Sequence, residues 1–483
     1  MKTVGLITEY NPLHNGHVHH FNEAKRLSGA DCAVVVMSGP FTQRGEPACV
    51  DKYARAEMAL RMGADLVLEL PVAYAVQPAE WFGFGAVSLL EATGVVDALC
   101  FGSEAGTLDG LLPLAELLAD ESPELKQRIR VKLDQGLSFP VAYSEAAAES
   151  LPGEDAALGG DGETLGDAGT MHGNAETMRR DGQTLHRSAR ALGGEGEETL
   201  HGNAETLHRS AQALHKHAAP GASSALTHGL SPEAAAELLQ APNNRLGLHY
   251  LIALRKLGSA IVPLTIPRTG AGFHDPAVPG AAIASATAIR GLLQAGSDAS
   301  SYLPGYTRQI LRRERAAGRL PIGWEAFAEP LLHLLLTRTA DELHPIQGME
   351  EGLEHRLLNS LSSLDTFSPE ALLQALKTKR YTRTRLQRLL VHVLLGQLKE
   401  EHTAEQLARG PGYIRVLGFT GSGRLLLKRM RTAAALPVVL QPAALKHPQL
   451  TRDLQASAAY AARYSGTSRE SLLRDYLRPP VIL

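Results

Sequence analysis

The chain opens on short apolar runs separated by amphipathic stretches. "TVGLIT" (Thr3–Thr8) is uncharged and is followed by Asn11-Pro12, and "DCAVVVMS" (Asp31–Ser38), "DLVLELP" (Asp65–Pro71) and "DALCFGS" (Asp97–Ser103) repeat the pattern. Apolar runs of this length without alternation predict strands covered on both faces. Between them, "HVHHFNEAKRL" and "YARAEMALRMG" carry helical spacing, the second closed by Gly63. The pattern resumes with "LGLHYLIALRKLG" as a helix, "AIVPLTIPR" as a strand and "SATAIRGLLQAG" as a helix with Ser285 near its start. Strands alternating with helices predict an α/β, Rossmann-like, doubly wound parallel sheet, with ligands at the carboxyl ends of the strands.

Two segments break the alternation. Residues 151–235 contain "TMHGNAETMRRDGQTLHRSARAL", nearly repeated as "TLHGNAETLHRSAQALH", with Gly-rich joints. One strong apolar position per heptad is too few for a coiled coil, so a low-order insertion in a surface loop is expected. Its seven histidines form no tight ligand cluster. From "YLPGYT" onward the spacing turns helical, through "EPLLHLLLTRT", "EEGLEHRLLNSL" and "TRTRLQRLLVHVLLGQL". The expected organisation is a catalytic domain at 1–150 and 236–300, the insertion at 151–235, and a mostly helical domain at 301–483.

Composition adds a charge asymmetry. The 483 residues carry a net charge of −3, yet residues 301–483 hold 26 Lys+Arg against 16 Asp+Glu. A basic helical half suggests a polyanionic partner. No apolar run approaches the ~20 residues that span a bilayer. The opening "MKTVGLITEYN" lacks a secretory apolar stretch, so a cytoplasmic location and no membrane partner are expected. Cys32, Cys49 and Cys100 lie far apart, which indicates neither a disulfide framework nor a zinc site.

The candidate chemistry sits directly after the first strand. "HNGH" places His14 and His17 around Asn15-Gly16. A helix opening there aims unpaired amides and its dipole at an anion above the strand. Two imidazoles beside those amides can donate to an α-phosphate as charge builds during displacement of pyrophosphate. A second element, "IASATAIR", offers Ser285, Thr287 and Arg290 at a helix start for the β- and γ-phosphates. "KTKRYTRTRLQR" is the best RNA candidate: Lys377, Lys379, Arg380, Arg383, Arg385 and Arg388 accompany Tyr381, and Arg385, Arg388 and His392 are expected on a polar face opposite a leucine stripe.

The stretches "VGLITEYNPLHNGH", "VMSGPFTQRGEPACVDKYARAEMAL", "DLVLELP", "FGSE", "PNNRLGLHY", "ASATAIR", "EEGLEHRL", "LLQALKTKRYTRTRLQR" and "PGYIRVLGF" together resemble the bacterial tRNA(Met) cytidine acetate ligase family, within the HIGH-containing nucleotidyltransferase superfamily. The resemblance spans nearly the whole chain apart from the insertion. It implies that acetate is activated by ATP as acetyl-AMP and passed to the wobble cytidine of elongator tRNA(Met), giving N4-acetylcytidine. It also implies ATP contacts at Ile7, Thr8, Glu9, Tyr10, Asn11, Pro12, Leu13, His14, Asn15, Gly16, His17, Val18, His19 and His20, and at Gly102, Asn243 and Arg268. Mg²⁺ is expected with the ATP, with no dedicated metal ligands and no obligatory protein partner. Two other readings stay open on the residues alone: a small-molecule adenylyltransferase of the same superfamily, and a non-catalytic RNA-binding protein.

Overall fold

The computed structural model describes residues 1–119, 122–137, 139–149, 232–268 and 283–483. The repeat-containing part of the expected insertion lies outside the described residues, while Pro232–Gln240 is helical.

In chain order the elements that position the site are β1 (Thr3–Thr8), α1 (Asn15–Ser28), β2 (Cys32–Ser38), α2 (Lys52–Met62), β3 (Leu66–Leu70), α3 (Ala79–Ala92) and β4 (Ala98–Ser103). They are followed by α4 (Pro242–Lys256), β5 (Val262–Pro267), α5 (Ala286–Gln294), α6 (Gly305–Ala316), α7 (Arg383–Leu395), β6 (Ile414–Phe419), β7 (Val438–Val439) and β8 (Val481–Ile482). One sheet has the order β5-β4-β1-β2-β3-β6-β7, with β8 paired to β6. β1 to β5 are parallel neighbours, Thr3 facing Cys32 and Gly102 facing Ile266. The continuous apolar runs are buried as their composition requires: every residue of β2 and β3 is buried. Aspartates at the strand entries fix the alignment. Asp97 accepts the Thr3 N–H at 2.7 Å, and Asp65 accepts the Ala33 N–H at 2.9 Å.

The chain runs outward from β1 to β3, then returns to the other side of β1 for β4 and β5. This reversal makes the carboxyl ends of β1 and β4 the topological switch point, where such sheets bind ligands.

The basic part does not stand apart from this sheet. Contacts gather Met1–Leu151 and Pro232–Leu483 into one compact unit. β6 pairs antiparallel with β3, so the sheet is mixed but mostly parallel. Its Arg415 is 1% exposed and donates to the Tyr53 hydroxyl at 3.1 Å, while Lys52 beside it bonds Glu69 at 2.6 Å and Asp475 at 2.7 Å. A separate leucine-rich core, including Leu331, Leu357, Leu373, Leu386 and Leu390, holds the helical portion.

Candidate active site

β1 ends at Thr8, and the turn that follows places Tyr10 in the left-handed region at φ 46°. Its buried ring stands edge-on to His17 at 5.0 Å, a packing contact that holds this sparsely populated conformation. His14 is the N-cap of α1. Its Nδ1 accepts the Gly16 N–H at 3.1 Å, and its own N–H donates to His17 Nδ1 at 3.3 Å. This is a capping box assembled from two imidazoles. Both Nδ1 lone pairs are occupied by backbone donors, so each ring carries its proton on Nε2. Burial, and then the nearby Arg268 and Arg290, lower His14 to about 4. Burial also holds His17 well below the usual histidine range. Near neutral pH the pair is thus two uncharged N–H donors.

These rings open on a cavity of about 710 Å³ at the switch point, within the ~300–1,000 Å³ range of small-molecule sites. It is lined by Ile7, Thr8, Glu9, Tyr10, Asn11, Gly16, His19 and His20 from the first β–α turn, and by Gly102, Asn243, Arg268, Ser285 and Arg290. Pro12, Leu13, Asn15, Val18 and Thr287 are not part of the lining: Leu13 is core, and Asn15 donates to the Ser301 carbonyl at 3.0 Å. At Gly102 an added Cβ would meet no closer neighbour than His20 Cδ2 at 3.9 Å. Packing does not demand glycine there, and the vacant volume belongs to the cavity.

Several residues are held in place by bonds the sequence does not announce. Asn243 stands in the first turn of α4 rather than in a free turn, with its side-chain amide donating to Glu104 at 2.6 Å. Ser285 caps α5 by accepting the Ala288 N–H at 3.2 Å. Arg290 donates to the Asn11 carbonyl at 3.1 Å, to Glu46 at 2.8 Å and to Thr287 at 3.3 Å. It therefore ties the second motif to the first turn. The buried Arg55 bonds the carbonyls of Glu9 and Ser38 at 2.8 and 2.9 Å, bracing the ends of β1 and β2. Among the described residues no group of three or more His, Cys, Asp or Glu side chains is placed to hold a metal ion.

Sequence reasoning missed Gln43, Arg44, Glu46, Thr384 and Arg245 in this lining. The loop "GPFTQRGEP" lies in a stretch that carries the family resemblance, but its own Gly and Pro residues signal only a turn. It packs so closely on α7 that a Cβ at Gly45, whose φ is +77°, would lie 2.3 Å from the Arg388 backbone nitrogen.

That packing changes the picture of the basic run. Arg388 does not stand on an open face: it lines the cavity and donates to the Gln43 carbonyl at 3.3 Å. His392, expected beside it in solvent, is 3% exposed and bonds Gln397 at 2.6 Å. Both are drawn inward by the approaching loop and the neighbouring helix turns. Arg380 pairs with Glu351, Arg383 donates to Glu370 at 2.7 Å, and Arg385 pairs with Glu350 at 2.9 Å while lying over the Tyr381 ring. Lys377 and Lys379 are exposed.

A doubly wound sheet whose first β–α turn sets paired imidazoles and helix-terminal amides at the switch point defines a nucleotidyltransferase-type protein. The family model described as HIGH Nucleotidyl Transferase matches residues 1–474. A tRNA(Met) cytidine acetate ligase of Geobacillus sp. is 34% identical over 100% of both chains, and one of Halalkalibacterium halodurans is 35% identical over 100% of this chain and 97% of its own. The crystal structure of Thermotoga maritima TmcAL bound with alpha-thio ATP is similar over 100% of both chains, at 31% identity and a TM-score of 0.76. The chain belongs to the tRNA(Met) cytidine acetate ligase family. No helix among the described residues is long and apolar enough to cross a membrane.

Proposed function

We propose that this protein activates acetate with ATP as acetyl-AMP and transfers the acetyl group to the wobble cytidine of elongator tRNA(Met), forming N4-acetylcytidine in the cytoplasm. The observation that carries this reading is that one cavity is shared by the His14–His17 capping box and by Thr384 and Arg388 of the basic helix α7. A nucleotide and a nucleic-acid strand can meet there without moving an intermediate between distant sites.

In adenylation, an acetate oxygen attacks the α-phosphorus and pyrophosphate leaves. His14 and His17 donate Nε2–H to the α-phosphate, and the α1 amides add to that field. Gly102 leaves room for the nucleoside, Asn243 offers an amide to the base or ribose, and Arg268, Ser285 and Arg290 serve the outer phosphates, with Thr287 holding the Arg290 guanidinium. Mg²⁺ enters with the ATP as part of the substrate. Both outer lysines and the paired arginines of 377–388 attract the tRNA backbone, since exposed ion pairs worth about 0–1 kcal/mol yield readily to phosphates.

The test is exchange of labelled pyrophosphate into ATP. Exchange that requires acetate and no tRNA supports the reading. Exchange driven instead by a nucleotide-like acid would favour a small-molecule adenylyltransferase, and none at all a binding protein.

A further inference from the structure

The exocyclic amine of cytosine is a poor nucleophile, because its lone pair is delocalised into the ring. Its attack on an acyl group must be accompanied by loss of a proton, and a base within reach of the cavity is needed to take it. His14 and His17 cannot serve: their Nδ1 lone pairs accept backbone N–H groups and their Nε2 atoms carry hydrogen. Glu46 is bound by Arg290 at 2.8 Å, and Glu104 accepts three donors from Asn243 and Asn244. Glu80 sits in the first turn of α3, where the helix terminus stabilises its charge. His249 stacks on Tyr143 at 6.1 Å, and burial lowers it to about 4, as burial does for His20. His19 is exposed at the rim.

Of the carboxylates that line the cavity, Glu9 is singled out by its surroundings. It lines the cavity five residues before His14. Its Oε1 accepts the Gln43 N–H at 2.7 Å, and no hydrogen bond among the described residues occupies Oε2. The same Gln43 offers its carbonyl to Arg388 at 3.3 Å. One residue thus joins the carboxylate to the helix that bounds the nucleic-acid side. The charged and titratable groups facing Glu9 are Arg44 and Glu46 of the loop, Arg290 of α5, Arg55 of α2 and Tyr250 of α4. Burial outweighs the cations and raises the Glu9 carboxyl above its ordinary value, which makes it a stronger base than an exposed glutamate.

We propose that Glu9 is the general base of the acetyl-transfer step, an inference that rests on the ligase reading above. The cytidine N4 attacks the acyl carbon of acetyl-AMP and an N–C bond forms. The C–O bond to the phosphate breaks with its electron pair going to AMP, and the N4 proton passes to Glu9 Oε2 and thence to solvent.

The experiment preloads the full-length protein with ATP and labelled acetate, then mixes it with an elongator tRNA(Met) transcript and follows single-turnover transfer. Pyrophosphate exchange is measured on the same preparation. Glu9→Gln keeps an acceptor for Gln43 but loses the base, so transfer should fall by ~10²–10⁴ and by far more than exchange. The wild-type transfer rate should rise with pH through one ionisation that the variant lacks, and Glu9→Asp should recover part of the rate with that ionisation. Equal losses in the two assays, or wild-type transfer in Glu9→Gln, would overturn the inference and leave the ligase reading standing. A wild-type protein that leaves tRNA unmodified would overturn both.

Discussion

The ring centroids of His14 and His17 lie 3.8 Å apart, and both close the α1 cap through Nδ1, His14 accepting the Gly16 N–H and His17 the His14 N–H. The structural bond and the catalytic donor are therefore opposite edges of one ring. His17→Ala should lower acetate-dependent exchange by ~10²–10³, the usual loss for one transition-state donor. The lost cap should cost only ~0.5–2 kcal/mol of stability. Exchange kinetics and urea unfolding on one preparation check both figures.

The same burial makes stability depend on pH. His14 ionises at about 4 in the folded protein, against an ordinary value of 6.5. Between these values the unfolded chain binds a proton that the folded one excludes, so stability present above pH 6.5 is lost as pH falls toward 4. His14→Asn keeps an N-cap acceptor but does not titrate. Its melting temperature should decline less steeply than that of the wild type across this window, as thermal melts at several pH values would show.

Gly102 separates ligand space from packing space. With nothing closer than 3.9 Å to an added Cβ, Gly102→Val should fold with an unchanged melting temperature, since valine suits a strand. Its KM for ATP should rise by about tenfold or more, equivalent to ~1.4 kcal/mol. A normal KM would place the nucleoside elsewhere.

The five parallel strands were legible because each is a short, mostly apolar run between turn residues, with Glu69 of β3 as the one charged interruption, and the His14 cap was legible because it directly follows the first of them. β6 was not. Arg415 interrupts its apolar pattern, and Tyr53, Asp475 and the Leu440 carbonyl make that charge tolerable inside. Arg388 and His392 misled for the same reason. Their spacing on α7 reads as a solvent face, but Gln43, a loop residue in the first fifth of the chain, covers Arg388. Local pattern reports local burial, and contacts across hundreds of residues leave no trace in it.

Arg383 and Arg385 remain at the surface in pairs with Glu370 and Glu350. Exchanging both for Glu should weaken tRNA binding and reduce its log–log salt slope by roughly 0.7–0.9 per lost phosphate contact. Filter binding across a salt series gives the slope, and circular dichroism confirms that α7 survives. An unchanged slope would move the RNA contact off this face.

In the proposed reaction ATP activation and tRNA acetylation share one cavity. The most direct test incubates the protein with ATP, labelled acetate and an elongator tRNA(Met) transcript, then digests the RNA to nucleosides for mass analysis. N4-acetylcytidine at the wobble position, dependent on all three components and formed ~10²–10³-fold more slowly by His17→Ala, is the predicted result. Acetyl-AMP accumulating beside unmodified tRNA would contradict the account.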